Sequence, residues 1–120
     1  MSSVVVRPPT ILVVGLRAAT AAECALAAHP MRVLQVPGWF EACEQISRCR
    51  PLVVVMGTSL PASHVEAIRI TAGRAKSAIV EFEERGDTID ARELEVVLEI
   101  TVASALRWRA AAAKSGAQTG

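Results

Sequence analysis

The chain has no tyrosine and only two tryptophans and two phenylalanines among 120 residues. A core built around large rings is therefore excluded, and Val, Leu, Ile and Ala must fill the interior. Three cysteines, Cys24, Cys43 and Cys49, form no CxxC pair. That argues against both a disulfide framework and a structural zinc site. Two histidines, His29 and His64, have no carboxylate or cysteine at ligand spacing, so neither a metal nor a catalytic role is expected of them. Charge of one sign is also missing: 13 basic and 12 acidic side chains leave a net +1. A nucleic-acid partner, which normally calls for a basic excess or stripe, is not expected. No apolar run approaches the roughly 18 residues of a membrane span. No basic segment followed by an apolar stretch marks a signal peptide. Free thiols fit a reducing compartment, so the expected location is the cytoplasm.

What remains is aliphatic: 52% of the residues are hydrophobic. A chain of this length suits one domain, and the composition suits a parallel sheet covered by Ala-rich helices. Ile11 to Val14 is a continuous aliphatic run that reads as a strand buried on both faces, Arg32 to Val36 is a second strand, Leu52 to Met56 is the third, most hydrophobic and expected to be central, and Ala78 to Phe82 is the fourth. Between them lie helical patterns. Thr20-Ala-Ala-Glu23 and Ser63-His-Val-Glu66 read as capping boxes opening helices to Ala28 and Lys76, and Asp90-Ala-Arg-Glu93 as a similar start for a long last helix to Ala113. Pro37-Gly38 leads into a helix over Trp39 to Cys49, with Phe40, Cys43 and Ile46 as its inner stripe. The domain expected is thus 11–113, with residues 1–10 as an extended arm and 114–120 as a flexible tail. Alternating strands and helices imply a parallel sheet with right-handed crossovers.

Three segments resemble the receiver domain of two-component response regulators. Ile11-Leu-Val-Val-Gly-Leu16 stands where that family has an aliphatic strand ending in two acids. Glu41-Ala42 stands where it often has Glu-Ala-Leu. Pro51-Leu-Val-Val-Val-Met-Gly-Thr-Ser-Leu-Pro61 stands where it has a strand, the phosphoryl-accepting Asp and a Leu-Pro loop. The resemblance implies a flavodoxin-like, three-layer fold with parallel strand order 2-1-3-4. Only residues 83–90 separate the fourth strand from the last helix, so the fifth strand is short, near Thr88-Ile89, or absent.

The departures carry the functional expectation. The acidic pair that would hold Mg²⁺ is Gly15 and Leu16, the acceptor Asp is Gly57, and the hydroxyl closing the fourth strand falls near Phe82. Aspartyl phosphorylation needs a nucleophilic carboxylate, oxygen ligands for a cation and a positive group on the phosphoryl oxygens. These residues supply none of them. A non-phosphorylatable pseudo-receiver, neither enzyme nor cofactor-binding protein, is therefore expected to act by protein–protein interaction. The rival reading is a small-ligand- or nucleotide-binding protein, or an enzyme, using the crevice at the strand ends. Gly15-Leu-Arg-Ala-Ala-Thr lacks the glycines of a dinucleotide fingerprint, but it leaves Arg17 and Thr20 at a helix N-terminus that suits an anion.

In the last helix, Leu94, Val97, Leu98, Thr101, Ala105 and Trp108 recur at the spacing of a core-facing stripe. Val96, Ile100, Val102 and Leu106 lie outside it and mark a partner surface. A fourth strand left at the sheet edge would extend that surface, unless Glu81, Glu83 and Glu84 guard it by charge. A protein partner or a homodimer through this helix and strand is expected, the symmetric dimer being favoured. Arg107, Arg109 and Lys114 read as basic residues suited to a helix C-terminus.

Overall fold

The computed structural model describes residues 9–84 and 90–118, with residues 113–118 as backbone alone. The expected segment near Thr88-Ile89 and the arm up to Pro8 lie outside the described residues. Eight elements alternate: β1 (Thr10–Val14), α1 (Ala18–Ala28), β2 (Arg32–Val36), α2 (Trp39–Cys49), β3 (Val53–Gly57), α3 (Ala62–Ala75), β4 (Ala78–Phe82) and α4 (Ala91–Gln118). All strands are parallel, in the order β2-β1-β3-β4. This is the α/β, flavodoxin-like architecture.

The aliphatic runs of β1 and β3 form the middle of the sheet because their two faces are both covered, while β2 exposes Arg32 and Gln35 and β4 exposes Glu81. Successive side chains of a strand point to opposite faces. Ile11, Val13, Val53, Val55, Val80 and Phe82 face α1 and α4, and meet Cys24, Ala28, Leu94 and Leu98 there. Leu12, Val14, Val54 and Met56 face α2 and α3, and meet Ala42, Ile46, Ile68 and Ala72. A continuous apolar run is the only pattern that satisfies both layers at once.

Several local expectations are corrected. α1 begins at Ala18, three residues earlier than the Thr20 capping box implied, and no side chain caps it. α3 begins directly after Pro61, and Ser63 lies inside its first turn. The third start stands: the Asp90 carboxylate accepts the Glu93 amide at 3.0 Å. α2 buries Ala42 and Ile46, while Phe40 is exposed and sits edge-on to Trp39. α4 buries Leu94, Leu98 and Ala105, but Trp108 at the far end of the stripe is exposed. The helix continues past Ala113 to Gln118, so Arg107 and Arg109 lie within it and not at its end. Arg109 instead donates to the carbonyls of Arg50 (3.1 Å) and Pro51 (2.7 Å), tying α4 to the entry of β3.

Candidate functional site

The carboxyl ends of the strands bring Gly15, Leu16, Gly57 and Phe82 together. Gly57 closes β3 and is paired in register with Phe82 at the end of β4. The Thr58 amide donates to the Phe82 carbonyl at 3.2 Å. Gly15 follows β1 with φ +70°, a left-handed conformation suited to glycine. Its carbonyl oxygen fills the space a side chain would need at Gly57: a Cβ built there would overlap that oxygen and lie 3.2 Å from Leu16 Cδ2. A Cβ at Gly15 would in turn lie 2.7 Å from Leu60 Cγ. The two glycines therefore interlock, and Leu60 closes the space above them.

Beside this contact lies a hollow of about 250 Å³ lined by Arg17, Gly57, Thr58, Ser59, Phe82 and Glu84. Its one dense polar feature is Glu84. Oε2 accepts from the Arg17 amide (3.0 Å), Arg17 Nε (3.1 Å) and Thr20 Oγ1 (2.5 Å). Partial burial favours the neutral carboxyl. The Thr20 hydroxyl and the two Arg17 donors outweigh it and hold the group below its ordinary value of 4.5. The helix N-terminus that the sequence offered to an external anion thus holds the protein's own carboxylate.

Glu84, expected as a charge beside the β4 edge, pairs with the start of α1. Its position just past β4, at the strand end facing α1, was the available signal. Glu81 is likewise engaged, in an ion pair with Arg69 of α3. Both are thus paired charges beside the β4 edge.

The donor set does not fit the Mg²⁺ of an acidic receiver pocket. Gly15 and Leu16 bring no carboxylate, the Gly15 carbonyl is directed at Gly57, and Glu84 is committed to Arg17 and Thr20. Among the described residues no three His, Cys, Asp or Glu side chains stand together as a metal-holding group. Thr58 and Ser59 are exposed, and no histidine or cysteine lines the hollow beside them. His64 stacks on Trp39 with ring centroids 5.5 Å apart. Cys24 is buried against the sheet, and that burial, with Glu23 nearby, pushes its thiol up to about 11.

The expected partner surface is divided. Val96, Ile100 and Leu106 are exposed, Ile100 by 64%. Val102 is corrected: it is half-buried and packs on the core layer shared with α1. It lies in an apolar groove of about 330 Å³ between α1 and α4, with Ala27, Ala28, Met31 and Leu98. Among the described residues β4 pairs only with β3, so its outer side is a sheet edge.

The structure resembles the crystal structure of the signal receiver domain of a protein named as a Luxo repressor, from Vibrio parahaemolyticus, with a TM-score of 0.70. The alignment covers 87% of this chain and 97% of that one at 15% identity. The chain therefore has the receiver-like fold. No family model matches the sequence, and no curated protein does. No helix among the described residues is long and apolar enough to cross a membrane.

Proposed function

We propose that this chain is a receiver-fold signalling domain that is not phosphorylated and acts by binding a protein in the cytoplasm. The observation that carries this reading is the contact between Gly57 and the Gly15 carbonyl. The acceptor position has no carboxylate, and no space for one while that contact persists. The domain is not an enzyme and works without a cofactor. Its output passes through the exposed part of α4 and the neighbouring β4 edge, toward a protein and not toward nucleic acid or membrane.

The test is incubation of the purified protein with acetyl phosphate and Mg²⁺, followed by intact-mass analysis beside a phosphorylatable receiver. The control gains a phosphoryl group and this chain gains none. A specific adduct on this chain overturns the proposal. A nucleotide retained through purification would instead favour a ligand-binding crevice at the strand ends.

A further inference from the structure

The helix face opposite the core of α4 is the least explained surface of the molecule. A residue turns 100° about a helix axis relative to its predecessor. With Leu94, Leu98 and Ala105 buried against the sheet, Val96, Ile100, Ala103, Arg107 and Ala110 occupy the opposite side. Glu99 and Leu106 flank it, and with Ala103 they also line the outer rim of the groove between α1 and α4. A solvated helix face is normally polar, yet here Val96, Ile100 and Leu106 are all exposed.

We propose that a second copy of this chain covers that face, the two α4 helices packing antiparallel about a two-fold axis beside Ala103. This rests on the protein-binding reading above and names the partner. Under such an axis, residues equally distant from Ala103 on either side stand level across the interface. Ile100 of one copy then meets Leu106 of the other, and Val96 meets Ala110. Glu99 stands level with Arg107, within reach of its long guanidinium. Symmetry doubles every one of these contacts. The small side chain at the axis allows the helices to approach to about 8 Å, the close end of helix–helix packing.

Charge decides the orientation. A parallel pair in register would set Glu99 against Glu99 and Arg107 against Arg107, whereas the antiparallel pair sets opposite signs together. The favourable span ends where Arg92 comes level with position 114, a lysine. The contact therefore covers about four turns of α4, from Val96 to Ala110.

Light scattering across a concentration series, on the full 120-residue chain, reads the assembly. A dimer that dissociates on dilution is expected. Ile100→Glu should raise the dissociation constant by about tenfold or more while leaving the circular dichroism unchanged, since Ile100 contributes little to the core. Glu99→Arg and Arg107→Glu should each weaken pairing by roughly three- to tenfold, and the double variant should recover to within about twofold of the parent.

The axis is tested separately with Ala103→Cys in a Cys43→Ser, Cys49→Ser background. Mild oxidation should link the two copies through position 103. In the parent chain, exposed Cys49, on α2 across the sheet from α4, should not link them. A monomer at every concentration overturns the inference. So does a dimer indifferent to Ile100→Glu that neither links at position 103 nor recovers in the double charge reversal. That last result would place the interface elsewhere and leave the protein-binding reading standing. A phosphoryl adduct in the acetyl phosphate assay would remove that reading on its own terms.

Discussion

Glycine at the end of a buried strand gives up side-chain packing and gains close backbone approach. Gly15 and Gly57 use that approach against each other. Restoring an acid at position 57 therefore does more than add a functional group. Gly57→Asp must push aside the Gly15 carbonyl, whose conformation is itself fixed by a positive φ and by Leu60. The variant should lose about 2–4 kcal/mol of stability, from overpacking and from burying a polar group without partners. Urea denaturation measures that loss, and an unchanged midpoint would show that the site can open.

Glu84 makes the second residue-scale prediction. Its pKa is depressed in the folded protein, so its contribution is present above its ordinary value of 4.5 and fades as pH falls below that value toward the folded one. Glu84→Gln should cost about 1 kcal/mol at neutral pH, after allowance for solvent screening at the rim. The gap between parent and variant should narrow in acid. Paired urea melts at neutral and acidic pH check the sign, and a gap that widened in acid would contradict the assigned hydrogen bonds.

β1 and β3 were legible as elements because burial on both faces leaves one readable pattern, a short unbroken aliphatic run, while β2 and β4 keep enough of it around Arg32, Gln35 and Glu81 to be read. Their order followed from the alternation with helices and from the receiver resemblance. Helix starts were less legible. Thr20 has the right chemistry for a cap, but its hydroxyl is taken by Glu84, a residue 64 positions away. Local spacing cannot reveal that competition. The same holds for Arg109, whose partners lie at the end of α2 and the start of β3. Arg109→Ala should destabilise by about 1–3 kcal/mol, because it strips a charged donor from the Arg50 and Pro51 carbonyls. Thermal unfolding of Arg109→Ala beside Arg107→Ala separates the roles. Arg107 is exposed on α4 and should change by no more than about 0.5 kcal/mol in a monomeric sample. Equal losses would refute the assigned tether.

At the scale of the molecule, the sheet divides the chain into two layers with different surfaces. α2 and α3 share one layer; α1 and α4 share the other, where the apolar groove and the exposed aliphatic face of α4 lie. Of the candidate site, the nearness of Gly15, Leu16, Gly57 and Phe82 at the strand ends was legible because the receiver spacing aligns them. The interlock between two of those positions was not, since it depends on the path of a backbone carbonyl. A receiver-like sheet with strand ends closed to phosphoryl chemistry and a helical layer open to a partner is the expected whole. The most direct test is a two-dimensional amide NMR titration with beryllofluoride and Mg²⁺, an acyl-phosphate mimic of the phosphorylated receiver. The amides of Gly15, Leu16, Gly57, Thr58 and Glu84 should hold their positions throughout. Saturable shifts at those amides, dependent on both fluoride complex and metal, would contradict the central claim.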